Sequence, residues 1–141
     1  MLQQGISVWT DACDFVLVEG VGGLLSPISD ADLVADLALE FGYPLLVVAR
    51  NTLGVINQTL QTLVAAEHYR LPVAGIVLND VHPTASDPSM ESNREEINRL
   101  ASVPVLGHVR HVGPDDPRVS DREIDFLVEI TKANQPWRPP P

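Results

Sequence analysis

The chain is poor in the features that mark several large classes of protein. Its 141 residues include one cysteine, Cys13, which excludes an intramolecular disulfide framework and a cysteine-rich zinc site, and we expect Cys13 to be a small buried hydrophobe. Lysine and arginine total 9 against 19 aspartates and glutamates, and the resulting net charge of −10 disfavours binding to nucleic acid or to an anionic membrane. No apolar run approaches the roughly 20 residues of a membrane-spanning helix. The opening MLQQGISVWT also lacks the regions of a signal peptide, so we expect a cytoplasmic protein.

Four short apolar segments predict the strands of a sheet. Each is continuously apolar instead of alternating, as is typical of strands that are covered on both faces of a parallel sheet. A helical pattern follows each of them, and this alternation predicts an α/β fold with a parallel sheet and flanking helices. The predicted strands are residues 15–18, 45–49, 73–78 and 103–107.

The segments between the strands carry helical periodicity. Ser29 or Asp30 is expected to cap the first of these helices and Gly42 to end it. The third helix is expected to turn Met90, Ile97 and Leu100 inward. Residues 1–134 are expected to form a single α/β domain, followed by a proline-rich tail at 135–141. The predicted helices span about 33–41, 55–70, 87–101 and 120–132, and residues 1–13 indicate the end of a helix and a turn.

An acidic residue and a glycine cluster follow the first predicted strand. Glu19 is succeeded by Gly20, Val21, Gly22 and Gly23. Ligands of open parallel sheets bind beyond the carboxyl ends of the strands. A carboxylate there is a ligand for Mg²⁺, and glycines let backbone amides approach a phosphate. The segment therefore indicates a metal or phosphate site, with a glycine-rich turn beside a capping glutamate as the simpler interpretation.

Four linked segments form a more specific pattern than the glycine cluster alone. VLVEGVGGLLSPIS, PLLVVARNTLGVINQTLQTL, LPVAGIVLND and VPVLGHV follow one another over residues 14–109. In order and spacing they resemble the carboxyl-terminal part of dethiobiotin synthetase. The resemblance implies an incomplete P-loop NTPase (SIMIBI-type) fold and a role in biotin biosynthesis, the ATP- and CO₂-dependent closure of a ureido ring on 7,8-diaminopelargonate. It also implies Mg²⁺ and ATP as cofactors and a homodimer as the working form.

The resemblance further implies roles for individual residues, although it assigns none of them a catalytic one. Glu19 matches the Mg²⁺ ligand of the family, and Asn79 matches the residue that recognises adenine, to which an amide offers both a donor and an acceptor. The implied substrate-binding residues are Gly22 and Gly23 beside substrate and phosphate, and Gly54, Val55, Ile56 and Asn57 at a helix start that holds the substrate carboxylate across the dimer interface. The implied lining of the adenine pocket is Pro104, Leu106 and Gly107.

Each of these assignments has an ordinary structural alternative. The segment after the Asn51-Thr52 loop is also an unremarkable helix start with Asn57 exposed, although helix amino termini do present free amides to anions. Asn79 and Asp80 also form a typical turn after a strand. The apolar strand at 103–107 needs no ligand to explain it. His108 and His111 are not expected to bind a metal together, because their spacing places them on opposite faces of an extended segment.

The sequence departs from the family in one respect that bears on activity. No segment reads G-x-x-x-x-G-K-[ST], and the single lysine is Lys132. Phosphoryl transfer in P-loop enzymes depends on that loop and its lysine. We therefore do not expect these residues to bind or hydrolyse ATP normally by themselves.

The missing loop also bears on the sheet. In such ATPases the P-loop strand lies between the strands predicted here at 15–18 and 45–49. Direct pairing of these two strands, a strand donated by a separate chain that supplies the P-loop half, and a truncated gene product all remain open.

Two other functional classes remain as alternatives. One is a non-catalytic interaction or assembly module that keeps the carboxylate-binding helix start. The other is a related ATPase such as a cobyrinic acid amidation enzyme, which the lack of a cysteine-containing glutaminase motif disfavours.

Overall fold

A computed structural model of the chain describes residues 2–13, 15–82 and 87–111. The predicted helix at 120–132 and the predicted tail at 135–141 lie outside these residues. None of the described helices is long and apolar enough to cross a membrane. The elements of the described part are α1 (Leu2–Ala12), α2 (Val34–Phe41), β1 (Leu45–Arg50), α3 (Val55–His68), β2 (Val73–Asn79), α4 (Met90–Leu100) and β3 (Val105–Val109).

The strands form a parallel sheet in the order β1-β2-β3. The ladder between β1 and β2 ends with Arg50 opposite Asn79, and the ladder between β2 and β3 ends with Asn79 opposite Val109. In the central strand β2, Ile76 and Leu78 are 0% exposed and Val77 is 2% exposed. Burial of successive residues is expected where both faces of a strand are covered. The predicted α/β fold with a parallel sheet and flanking helices is therefore confirmed.

The main core lies between one face of the sheet and the helices α3 and α4. The buried residues of α3 are Val55, Thr59, Leu63 and Ala66, which repeat at the spacing of one helix face. They meet alternate residues of the strands, because successive side chains of a strand project to opposite faces. The core cluster consists of Ala49, Val55, Leu63, Ile76, Leu78, Ile97 and Val105.

The helix α2 packs beside the start of the sheet through Ala35. One prediction about its ends is confirmed and one is wrong. Gly42 ends the helix in the left-handed conformation, with φ 66°, as predicted. The predicted cap at Ser29 or Asp30 is wrong. The Asp36 carboxylate instead accepts a hydrogen bond of 2.8 Å from the amide of Leu33, while the Ser29 hydroxyl accepts from amides within the preceding turn.

The predicted first strand is the main correction to the fold. Residues 15–18 lie outside every described strand, and Phe15 and Leu17 are 50% and 73% exposed. A strand needs a neighbour for its backbone amides and carbonyls, and no described strand lies beside this segment. The expectation that Cys13 is buried is also wrong. It is exposed at the end of α1, whose Trp9 is 62% exposed.

Candidate functional site

A buried network of polar side chains lies where β1 and β2 end. Asn51 follows β1 and Asp80 follows β2, and these residues are 0% and 5% exposed. The Asn51 Nδ2 group donates to Asp80 Oδ1 over 2.7 Å. Asn93 of α4 donates from Nδ2 to Asn51 Oδ1 over 2.9 Å. The network therefore ties the carboxyl edge of the sheet to α4.

His108 of β3 joins this network from the third strand. Its Nε2 atom lies 2.7 Å from Asp80 Oδ1, and the side chain of His108 is 24% exposed against 2% for that of Asp80. The Asp80 carboxylate thus contacts polar groups from the ends of two other strands. A buried carboxylate without such partners would be strongly unfavourable, so the contacts explain how Asp80 is accommodated.

The amino-terminal end of α3 is an open turn. Gly54 precedes the helix with φ 93°, a left-handed conformation that favours glycine, and no atom lies within 4 Å of the position that a Cβ would take. Val55 is buried and Ile56 packs against the core, whereas Asn57 is exposed. Among the described residues, the backbone amides of Gly54, Ile56 and Asn57 have no hydrogen-bond acceptor. Free donors at the positive end of a helix dipole are suited to an anion.

A carboxylate of the chain already lies next to this turn. Asp87 Oδ2 accepts a hydrogen bond of 2.7 Å from the amide of Leu53, and Asp87 Oδ1 accepts from the hydroxyl and the amide of Ser89 over 2.7 and 3.0 Å. The Ser89 hydroxyl, followed by the amides of Leu53 and Ser89, holds the pKa of Asp87 below its ordinary value. The loop before α3 thus already binds one carboxylate through the amide of Leu53, which directly precedes the free amide of Gly54.

The glycine cluster forms a tight turn that is closed by Ser26. Gly22 has φ 78°, and a Cβ at this position would lie 2.6 Å from Ser26 Oγ. The amide of Gly23 donates to the same hydroxyl over 2.8 Å, and the amide of Ser26 donates to the Gly23 carbonyl over 2.9 Å. To bind a phosphate as predicted, the amide of Gly23 would therefore have to give up its hydrogen bond to the Ser26 hydroxyl. Glu19, just before this turn, is exposed and outside every described strand.

The predicted adenine-site residues lie at two different levels of the sheet. Asn79 is half-buried at the carboxyl end of β2. Pro104 precedes β3 at the other end, and its carbonyl accepts from the amide of Ile76 over 2.9 Å. Leu106 packs against Gly75, where an added Cβ would lie 2.5 Å from Leu106 Cγ. Gly107 is buried at mid-sheet opposite Val77. The structure therefore brings Asn79 to the network residues and to Val109, and does not bring Pro104 and Leu106 to Asn79.

Comparison with known families shows to which family the chain belongs. The model of the family described as AAA domain matches residues 2–116. The chain belongs to this AAA domain family. Its parallel sheet and flanking helices are consistent with a P-loop NTPase-like fold.

The curated relatives of this AAA domain chain bear the name ATP-dependent dethiobiotin synthetase. The protein of Rhodopirellula baltica is 38% identical over 128 residues, which cover 84% of this chain and 49% of the relative. That of Anaeromyxobacter dehalogenans is 52% identical over 85 residues, 60% of this chain and 38% of the relative. That of Thermodesulfovibrio yellowstonii is 38% identical over 130 residues, 83% of this chain and 54% of the relative. The predicted resemblance to dethiobiotin synthetase is confirmed, and the chain spans about half the length of the relatives it matches.

The residues of this AAA domain chain include a suitable ligand for Mg²⁺ but no binding site for the phosphates of ATP. Mg²⁺ is often held by one or two carboxylates together with substrate phosphates, and the exposed Glu19 fits the part of a single protein ligand. In residues 2–13, 15–82 and 87–111, no group of three His, Cys, Asp or Glu is placed to hold a metal. The phosphates of ATP do not fit these 141 residues, because the sequence contains no P-loop motif and its single lysine is Lys132. No catalytic step is therefore assigned to them.

Sequence reasoning missed the buried network because its members were interpreted one at a time. The sequence offers Asp80 only as part of an alternative turn with Asn79, and the inward residues predicted for the helix at 87–101 do not include Asn93. A signal for Asn93 does exist, since it lies three residues after the buried Met90 and four before the buried Ile97. His108 has no comparable local signal, because its partner Asp80 is 28 residues away.

Proposed function

We propose that this chain provides the base-binding and carboxylate-binding part of a dethiobiotin synthetase-type ATPase of biotin biosynthesis. The observation that carries the proposal is that the parallel sheet places Asn79 and the open start of α3 at the same edge. Ligands of open parallel sheets bind at this edge. The identity of 38% over 128 residues to the dethiobiotin synthetase of Rhodopirellula baltica supports the assignment to that reaction.

The proposed reaction is the ATP- and CO₂-dependent closure of a ureido ring on 7,8-diaminopelargonate. Within it, the amides of Gly54, Ile56 and Asn57 bind the substrate carboxylate, with Val55 anchoring their turn in the core. Asn79 binds the edge of adenine through its amide. The remaining proposed contacts are Glu19 to Mg²⁺ and Gly22 and Gly23 to substrate and phosphate. Pro104, Leu106 and Gly107 are left out of the proposed adenine site, because they lie away from Asn79 along the sheet.

Mg²⁺ bound with ATP would supply neutralisation of phosphate charge. The residues of this chain position the reactants. The start of α3 binds the substrate carboxylate, and the side-chain amide of Asn79 binds the base. We further propose that the chain works as a homodimer and that catalysis requires a P-loop from outside these 141 residues. The P-loop is required because the sequence has no lysine other than Lys132 to contact a phosphate.

The test is an assay of the purified chain for dethiobiotin formation and for ATP hydrolysis. We expect neither activity above background, because positioning without the P-loop lysine leaves the transferred phosphoryl group without its main cation. Robust turnover by the isolated chain would show that the argument from the absent lysine is wrong.

A non-catalytic module that retains only the carboxylate site is the second candidate. One combination of observations favours it. The amides at the start of α3 are free to bind an anion, whereas the sequence contains no P-loop motif to bind the phosphates of ATP. Calorimetric titrations with diaminopelargonate and with MgATP discriminate between the two. The module binds the carboxylate ligand and not the nucleotide, whereas tight binding of MgATP excludes the module.

A further inference from the structure

A groove of about 730 Å³ lies at the amino edge of the sheet, between the last turns of α3 and the segment that follows α4. Its lining is mainly apolar and only partly covered. Leu63 and Leu71 are 9% and 5% exposed, whereas Val64 and Leu100 are 66% and 44% exposed. Large apolar side chains that line an open groove of this volume are typical of a site that binds another group.

Two charged residues also line this groove. Glu67 lies at the end of α3, and Arg70 lies in the turn that follows. Both are exposed, and neither belongs to the ion pairs found in the described residues. Within the described part of the chain, the carboxylate of Glu67 is therefore available to a cationic residue that accompanies an apolar one into the groove.

The course of the chain leads back to this edge of the sheet. The helix α3 begins after the end of β1 and finishes before the start of β2, and α4 makes the same return between β2 and β3. The strand β3 ends at the carboxyl edge, and residues 112–141 follow the described part. A helix over the predicted range 120–132 is about 20 Å long, which is comparable to a strand such as β2. The same return would place the start of the proline-rich tail, residues 135–141, at the amino edge.

The tail contains the residue types that suit such a groove. Its sequence QPWRPPP holds Trp137 and Arg138 among four prolines. Proline-rich segments are extended before they bind, so they lose little conformational entropy when they enter an apolar groove. A tryptophan buries a large apolar area in such a site. Arg138, the next residue, supplies a positive charge to match that of Glu67.

We propose that the proline-rich tail binds in the groove of its own chain, with Trp137 between Val64 and Leu100 and with Arg138 paired to Glu67. The inference is independent of the proposed function, because the groove lies at the amino edge and the proposed ligands bind at the carboxyl edge. The tail is tethered to the same chain by a short segment, so binding within one chain is favoured over binding between copies.

The experiment measures the fluorescence of Trp137 in the full 141-residue chain carrying Trp9→Phe. Trp9 is the other of the two tryptophans and is 62% exposed. We expect emission at shorter wavelength and weaker acrylamide quenching than in the urea-unfolded chain, because the bound ring is shielded from water. Leu100→Lys removes an apolar contact and should lower the ratio of bound to free tail by about tenfold. Both signals should then shift toward their values in the unfolded chain.

Leu39→Lys is the matched control, because Leu39 is 53% exposed on α2 and does not line the groove. It introduces the same charge, and the emission of Trp137 should stay unchanged. Val64→Lys repeats the test from the side of α3. It also serves as the second variant if circular dichroism shows that Leu100→Lys lowers the folded fraction.

Two further variants test the ion pair. Glu67→Gln should lower the ratio of bound to free tail by about two- to fivefold, as expected for an exposed pair. Arg70→Gln should not lower it, because Arg70 carries the same charge as Arg138. The opposite ranking of the two variants overturns the pairing of Arg138 with Glu67.

The remaining outcomes decide between the tail and other occupants of the groove. The inference is overturned if the emission of Trp137 matches that of the unfolded chain, or if Leu39→Lys changes it as much as Leu100→Lys does. Shielding that increases with protein concentration assigns the groove to a second copy and overturns binding within one chain. Shielding that is independent of concentration and is lost in Leu100→Lys and Val64→Lys supports the site as stated.

Discussion

Asn51 is the residue on which the buried network at the carboxyl edge depends. It donates to Asp80 and accepts from Asn93, so its removal leaves partners on two elements without their hydrogen bonds. Buried polar groups that lose their partners destabilise a fold far more than exposed ones do. We expect Asn51→Ala to lower the free energy of unfolding by about 2 to 4 kcal/mol, measured by urea denaturation.

Asn57→Ala provides the comparison for this change, because Asn57 is an exposed asparagine on α3. A change of less than about 0.5 kcal/mol is expected there. If Asn51→Ala were equally neutral, the buried network would have no part in stability.

Asp87 makes stability depend on pH through its hydrogen bonds to Ser89 and Leu53. Its pKa is lowered in the folded chain, so folding favours the ionised carboxylate. The stabilisation is complete above the ordinary aspartate pKa of about 4 and is lost as the pH falls through the lower folded-state value. We expect urea denaturation to show the unchanged chain as more stable than Asp87→Asn at pH 7, with the difference shrinking below about pH 4.

The same change at Asp30, an exposed aspartate in the loop before α2, tests whether this effect is specific to position 87. A pH dependence of Asp30→Asn that matched that of Asp87→Asn would assign the effect to net charge and not to the loop before α3.

At the scale of elements, close contact between β2 and β3 depends on Gly75. A Cβ at this position would lie 2.5 Å from Leu106 Cγ and 3.0 Å from the Pro104 carbonyl oxygen. We expect Gly75→Ala to destabilise the chain by about 1 to 3 kcal/mol, because overpacking forces neighbouring atoms to move. Thermal denaturation followed by circular dichroism measures the effect.

A second substitution identifies the cause of that loss. Leu106→Ala removes the flexible neighbour and leaves the carbonyl of Pro104 in place, so the double variant should lose less than the sum of the single losses. Gly5→Ala is the control, since nothing lies within 4 Å of a Cβ at Gly5. Strict additivity would contradict a steric origin.

Sequence patterns predicted most helices and strands, because the apolar periodicity that defines them is a property of neighbouring residues. The helices α2, α3 and α4 overlap the predicted helices, and β1 and β2 overlap the predicted strands. The strand β3 begins at Val105, two residues after the start of the strand predicted at 103–107. The segment at 15–18 is equally apolar but is not a strand, because a strand needs a neighbour to pair with; its residues Phe15, Leu17 and Val18 are exposed. Within α4, Leu100 is 44% exposed although it was expected to face inward, and the inward Asn93 was missed.

At the scale of the whole molecule, β1 is an edge strand of the described sheet. Val48, near its end, is 63% exposed. An exposed apolar edge is a template for pairing with another chain, and a lysine on it opposes such pairing. We expect concentration-dependent self-association in sedimentation velocity, reduced by Val48→Lys.

Val64→Lys is the matched control, because Val64 is 66% exposed on α3. A lysine there should leave self-association unchanged if the edge of the sheet drives it. Equal reduction by both variants would indicate general surface hydrophobicity instead.

The amino-acid sequence by itself determined the parallel α/β class and the family, because continuous apolar runs, helical periodicity and linked motifs are properties of neighbouring residues. It also determined the absence of a P-loop motif from these 141 residues. Only the tertiary structure decided that Asn51, Asp80, Asn93 and His108 form one buried network, and that Arg50 lies beside Asn79. These groups come from separate strands and a helix. Their contacts follow from strand register, which local sequence does not specify.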